Sequence, residues 1–286
     1  MRAGLVAVAG RPNVGKSTLV NALTGEKVAI TSNVPNTTRR RIFGVASGED
    51  WQLVLVDLPG FQRPIDPLTE RMQETVDGSF ADVDVVLFVL SARDRIGAGD
   101  TYIAKRVFAL GVPVVIALNK IDRLKHGHVA SQMKIAAALG EFHALHPVSA
   151  LVRDGIDELR GDLVSLLPEG APLFPVGQRT DLSLEERIAE VIREKALRLT
   201  REEVPHACTV VVEELEEQRV RALVLVETES QKGILVGKKG AMIREIGTRS
   251  RPEVEALLGR RVFLELVVKV RPKWRRDPRE LERLGL

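Results

Sequence analysis

Gly10-Arg-Pro-Asn-Val-Gly15-Lys16-Ser17 stands between a short apolar run, Leu5–Ala9, and a segment with the spacing of an amphipathic helix, Thr18-Leu-Val-Asn-Ala-Leu23. This is the GxxxxGK[ST] pattern in the strand, loop and helix setting it requires. There the glycines let the backbone fold around phosphates with its N–H groups pointing inward. Lys16 neutralises the outer phosphates, and the Ser17 hydroxyl can ligate Mg²⁺ at the positive end of the following helix. Gly10, Arg11, Pro12, Asn13, Val14, Gly15, Lys16, Ser17 and Thr18 are the expected nucleotide loop.

Outward from this loop, Leu53–Val56, Val83–Leu90, Val114–Leu118 and His146–Val148 read as strands with helical patterns between them. Their hydrophobicity is continuous rather than alternating, so both faces are buried, as in a parallel sheet covered by helices. The expectation is a doubly wound α/β domain with a mostly parallel sheet over residues 1–170. Polar motifs fall at the strand ends, where ligands of such folds bind. Asp57-Leu58-Pro59-Gly60 follows the second run: Asp57 can hold the Mg²⁺ shell and the Gly60 amide can sense a terminal phosphate. Asn119-Lys120-Ile121-Asp122 follows the fourth. The Asp122 carboxylate can accept two hydrogen bonds from guanine N1–H and its exocyclic amine, donors that adenine does not offer, so ATP is rejected. Ser149-Ala150 can present a backbone amide to guanine O6.

No apolar run approaches the roughly 18 residues of a membrane span. The start, Met1-Arg2-Ala3-Gly4-Leu5, lacks signal-peptide architecture, and the lone Cys208 excludes an internal disulfide framework, so a soluble, cytoplasmic protein is expected. The five histidines show no metal-ligand spacing. Lys and Arg balance Asp and Glu over residues 1–178 at 19 each, residues 179–230 carry 8 against 13, and residues 231–286 carry 15 against 7. A basic C-terminal segment favours a polyanion, because Lys and Arg release the counterions condensed on phosphates.

Pro168-Glu-Gly-Ala-Pro-Leu-Phe-Pro-Val-Gly177 is dense in Pro and Gly, and residues 171–182 read as a linker. A helix beginning at Ser183 presents Ile188, Val191, Ile192, Ala196 and Leu199 on one face. Strands Cys208–Glu214 and Val220–Thr228 follow, then a short helix ending at Gly237, a longer one from Ala241, and a strand Val262–Val270. Pro252 should break or kink the longer helix unless a second helical piece begins there. Gly237-Lys238-Lys239-Gly240 lies between the two helices of this α-β-β-α-α-β order, where it resembles the GxxG loop of a KH domain. The second domain is thus a smaller α+β unit of the type II KH arrangement over residues 183–275, with 276–286 as a tail. Its expected RNA-binding residues are Lys232, Ile234, Gly237, Lys238, Lys239, Gly240, Ile243 and Arg244. With 4% aromatic residues, stacking should contribute little and binding should depend on salt. Trp274 reads as a packing residue.

Gly10–Ser17, the switch-like Pro35-Asn36-Thr37-Thr38-Arg39, Asp57–Gly60, Asn119–Asp122 and Ser149-Ala150, in this order before a KH unit, resemble the Era family of ribosome-associated GTPases. The resemblance implies a GTP/GDP switch with Mg²⁺ held by Ser17, Thr38 and Asp57, and a segment Thr31–Arg41 ordered by the γ-phosphate. Thr38 is then the switch threonine, with Thr37 as its rival. Catalysis would rest on Lys16, Thr38, Gly60 and Asn13. Phe61 stands where Ras-like enzymes have a water-orienting glutamine, so intrinsic turnover should be slow. In relatives with that substitution an asparagine at the place of Asn13 helps hold a monovalent cation, which implies stimulation by K⁺. The resemblance further implies binding to the 3′ end of 16S rRNA, action in 30S subunit assembly, peripheral association with the inner membrane, and a monomer. The competing readings are an RNA-binding or chaperone protein whose nucleotide domain turns over little, and a GTPase of protein or membrane partners whose KH unit merely packs.

Overall fold

The computed structural model describes residues 1–32, 34–61 and 64–286, and for Arg123 the backbone alone. Asn33, within the segment Thr31–Arg41, lies outside the described residues. The chain forms two compact units: Met1–Ala29, Thr38–Pro64 and Arg71–Asp181 make one, and Ile30–Thr37, Ile65–Glu70 and Leu182–Leu286 the other.

The first unit holds a six-stranded sheet in the order β2-β3-β1-β4-β5-β6, formed by β1 (Arg2–Ala9), β2 (Ile42–Ser47), β3 (Trp51–Asp57), β4 (Val85–Ser91), β5 (Val114–Asn119) and β6 (Ala144–Pro147). All neighbours are parallel except β2 with β3. Alternate residues of each strand serve two cores. Val6, Leu55, Leu87 and Val115 meet Leu19 and Leu23 of α1 (Lys16–Thr24) and Leu159 and Leu163 of α5 (Ile156–Ser165). Ala7, Val56, Phe88 and Ile116 meet Val76 of α2 (Pro67–Gly78), Ile103 and Val107 of α3 (Ala98–Phe108), and Ala136 of α4 (His126–Ala137). This is the doubly wound sheet that the continuous apolar runs require. Because the strands are parallel, Ala9, Asp57, Ser91, Asn119 and Pro147 all end at one edge.

β2 was absent from the sequence reading, because Ile42-Phe-Gly-Val-Ala-Ser47 is short and interrupted by Gly44. The stretch read as a linker lies against the sheet. Gln52 accepts the Leu173 and Phe174 amides at 2.7 and 2.8 Å, and Arg179 O accepts the Val45 amide at 2.8 Å.

The second unit runs through α6 (Leu184–Leu199), α7 (Val204–Ala207), β7 (Thr209–Leu215), β8 (Arg219–Val226), α8 (Glu229–Val236), α9 (Ala241–Leu258), β9 (Phe263–Val270) and α10 (Pro278–Arg283). Its sheet is ordered β7-β8-β9, antiparallel then parallel, which is the type II KH arrangement. Capping boxes start α6 and α8, Ser183 with Glu186 and Thr228 with Gln231, each satisfying two backbone donors. Ile188, Ile192, Ala196, Val224, Leu235, Ile246 and Val254 form the core. Pro252 neither breaks α9 nor starts a new helix. It lies on the exposed face, where water can serve the Thr248 carbonyl that a proline cannot reach. Leu281 of α10, in the tail, is buried, and Trp274 just before the tail is enclosed with its Nε1 donating to Ala207 O at 2.9 Å.

Candidate nucleotide and RNA sites

The loop after β1 bends where its residue types allow. Asn13 has φ 63° and Gly15 φ 101°, and a Cβ on Gly15 would sit 2.4 Å from Asn119 Nδ2. Glycine is required there by the close approach of Asn119. Lys16 is buried, and its Nζ donates to the carbonyls of Gly10 and Arg11, each at 3.1 Å. Burial pushes its pKa down to about 8, partly offset by Asp57. Asp57 is pushed upward by burial, against the pull of Lys16, Ser17 and Thr38.

Ser17, Thr38 and Asp57 converge. Ser17 Oγ donates to Asp57 Oδ2 at 2.7 Å and lies 3.1 Å from Thr38 Oγ1, which is 3.3 Å from the same carboxylate oxygen. The other carboxylate oxygen, Oδ1, is buried without a hydrogen-bond partner among the described residues. Two hydroxyls and an under-used carboxylate make a hard oxygen set that fits Mg²⁺. Of the two candidate threonines, Thr38 is the one at this cluster; Thr37 Oγ1 bonds instead to Ser32 and to Val34 O, at 2.6 and 2.7 Å. Gly60 packs on Pro12, leaving no room for a side chain. Phe61 is withdrawn into the core, 5.9 Å from the ring of Phe80.

At the ends of β5 and β6, Asn119 Nδ2 donates to Val14 O at 3.1 Å, and Ser149 Oγ donates to Asp122 Oδ1 at 2.8 Å. Lys120 Nζ reaches the Asn13 carbonyl, so the two loops are tied together. The Ala150 amide donates to Asn119 Oδ1 at 3.0 Å, so a guanine O6 would share it. Asp100 was missed. Buried in the first turn of α3, it accepts the Gly97 amide at 3.0 Å and Arg11 Nε at 2.7 Å, bracing the phosphate loop from outside the motif. Its place after Gly97 marks a helix start, but nothing in the chain marks it as buried. Leu58, next to Asp57, is buried in the core.

In the KH unit, Gly237 has φ 70° and ψ 173°, Lys239 φ 53° and Gly240 φ 76°. This succession turns the chain between α8 and α9 and leaves Lys238 and Lys239 exposed. Ile234 and Arg244 are exposed beside them, Ile243 is partly buried, and Lys232 lies 3.8 Å from Glu229. Among the described residues no group of three or more His, Cys, Asp or Glu could hold a metal, and His146 bonds Asp162 at 2.8 Å instead.

Fold and sites together define a P-loop GTPase carrying a type II KH domain. Curated proteins named GTPase Era from Mycolicibacterium smegmatis and Streptomyces coelicolor are 42% and 44% identical to it, with 99% of this chain covered in both and 98% and 95% of theirs. The chain belongs to the Era family of GTPases. Residues 5–120 match the model of a 50S ribosome-binding GTPase family, and residues 203–275 that of the KH domain. Two solved structures align with all of this chain and 99% of their own. One is a single-residue variant of Aquifex aeolicus Era bound to GDP and AlF₄⁻, at TM-score 0.96 and 39% identity. The other is Era in complex with MgGDPNP and nucleotides 1506–1542 of 16S ribosomal RNA, at 0.94 and 38%.

Proposed function

We propose that this protein is a GTP-hydrolysing switch that binds the 3′ end of 16S rRNA through its KH domain and acts in assembly of the 30S subunit. The observation that carries the nucleotide half is the convergence of Ser17, Thr38 and Asp57 on one point at the carboxyl edge of the sheet. Ser17, Thr38 and Asp57 hold Mg²⁺, and Lys16 with the amides of the phosphate loop holds the phosphates. Asp122, Asn119 and Ser149 read the base. The RNA half is supported by the exposed Lys238 and Lys239 on a glycine-bounded turn and by likeness to the Era complex with 16S rRNA. Residues 1–170 form the GTPase domain, 171–182 the connection, 183–275 the KH domain and 276–286 the tail.

Membership in a GTPase family answers the little-turnover reading, while the buried Phe61 supports a slow intrinsic rate. A monovalent cation held with the help of Asn13 supplies the missing charge, so K⁺ accelerates hydrolysis; equal rates in K⁺ and Na⁺ buffers would remove this part. The protein works as a cytoplasmic monomer. Peripheral membrane association is compatible with the basic C-terminal segment, and no helix among the described residues is long and apolar enough to cross a membrane.

The test is to load the protein with GDP or a non-hydrolysable GTP analogue, crosslink it in bacterial lysate and sequence the recovered RNA. Enrichment of the 16S 3′ end in the GTP-like state is expected. Equal or absent RNA in both states would reject the RNA-binding switch.

A further inference from the structure

Residues 30–37, immediately before Thr38, pack with the KH unit, and both ends of this segment are held by α6. At its start, Arg198 Nη2 donates to the Thr31 carbonyl at 3.1 Å and to Thr31 Oγ1 at 3.0 Å, and Thr31 Oγ1 lies 3.3 Å from Glu194 Oε1. At its end, Arg193 Nη2 donates to the Thr37 carbonyl at 2.6 Å. Arg193 is 3% exposed, and its Nε and Nη2 also fork onto Glu190 at 2.8 and 2.7 Å. Its Nη1 is buried with no partner among the described residues.

The Thr37 carbonyl belongs to the peptide plane that also contains Thr38 N and Cα, so fixing that oxygen fixes how the chain enters Thr38. Thr38 is the residue whose hydroxyl meets Ser17 and Asp57. A buried cation with one nitrogen already unserved loses a charge-assisted bond if Thr37 leaves, so the guanidinium resists release of the segment.

We propose that Arg193 is a positioning residue for the nucleotide site: from the first helix of the KH unit it holds the Thr37 carbonyl and thereby presents Thr38 to Mg²⁺ in the triphosphate state. This rests on the reading of Thr38 as the switch threonine. A ligand that needs Thr38 in place gains from the tether, and one that does not is indifferent to it. Arg193 therefore sets the preference for GTP over GDP without touching either.

The experiment compares the wild type with Arg193→Lys, which keeps the charge but loses the fork, with Arg198→Ala, whose half-exposed side chain can be removed without opening the core, and with Thr38→Ala. Affinities for fluorescent GDP and for a fluorescent non-hydrolysable GTP analogue with Mg²⁺ are measured beside kcat, KM and the melting temperature. Arg193→Lys should weaken the analogue about tenfold and lower kcat, with GDP affinity changed by less than about twofold. Arg198→Ala should shift the same ratio in the same direction by a smaller factor. Loss of both nucleotides together with the melting temperature, or no change in the ratio for either arginine variant, would overturn the proposal. If Thr38→Ala keeps Mg²⁺-dependent analogue binding, the switch assignment fails and the proposal with it. If Thr38→Ala loses that binding while the arginine variants keep it, the assignment stands and the positioning role falls.

Discussion

At the level of single side chains, Asp57 shows how burial and function are matched. Its carboxylate is disfavoured as an anion by burial, leaves Oδ1 without a partner among the described residues, and has two hydroxyls on Oδ2. A divalent cation held there would reverse that penalty. Asp57→Asn removes the anion, so the Mg²⁺ concentration needed to bind a GTP analogue should rise about 10–100-fold. The nucleotide-free melting temperature should hold or increase, because the buried charge is gone. Magnesium titration and thermal melting check both. Asp122→Asn should cost about 2–3 kcal/mol of GTP affinity, the worth of hydrogen bonds to a charged acceptor. It should improve binding of xanthosine triphosphate, whose C2 carbonyl accepts from an amide where guanine donates; competition binding with the two nucleotides reads this directly. Both residues can be singled out from sequence because each belongs to a short motif at a strand end. Asp100 cannot, since its role depends on Arg11 reaching it across 89 positions. The occupied Ala150 amide was hidden for the same reason: the amide is local, but its acceptor Asn119 comes from another strand.

Among the elements, regular patterns were read well and exceptions poorly. The buried parallel strands follow from the hydrophobic pattern, and the α-β-β-α-α-β order from that pattern together with the cap at Ser183 and the glycines at 237 and 240, with the short α7 and α10 added by the structure. β2 escaped because its interior glycine weakens the pattern, and that glycine is demanded by packing: a Cβ on Gly44 would lie 2.8 Å from a methyl of Val20. The turn between α8 and α9 draws a sharp distinction between its two glycines. Gly237 occupies a backbone region open essentially to glycine alone, and a Cβ there would meet Met242 at 2.8 Å. Gly240 is left-handed, and a Cβ there would meet nothing within 4 Å. Gly237→Ala should therefore destabilise the KH unit by about 1–3 kcal/mol and abolish RNA binding. Gly240→Asn, whose side chain tolerates the left-handed region, should keep both. Thermal melting with an RNA-binding assay separates the two variants. Trp274→Ala, which empties a fully enclosed site, should cost about 3–5 kcal/mol in a denaturant titration.

For the molecule as a whole, the distribution of charge matters more than its sum. Overall the chain is nearly neutral, yet residues 231–286 carry 15 basic against 7 acidic residues while residues 179–230 lean acidic. That distribution concentrates cationic side chains in the segment that carries the Gly237–Gly240 turn. With few aromatic residues for stacking, affinity for single-stranded RNA should come largely from phosphate neutralisation. Four cations flank the turn: Lys232, Lys238, Lys239 and Arg244. If each neutralises one phosphate, log K should fall with log salt at a slope of about −3, taking roughly −0.7 per contact for single strands. Lys238→Glu with Lys239→Glu removes two of these contacts, so the slope should shrink to about −1.4 and the affinities of the two proteins should converge at high salt. GTP hydrolysis measured without RNA should be unchanged, because neither lysine belongs to the nucleotide site. An unchanged slope would mean that the RNA is gripped elsewhere. A fall in basal hydrolysis would mean that the turn serves the nucleotide site as well, and the assignment of one polyanion to each loop would have to be given up.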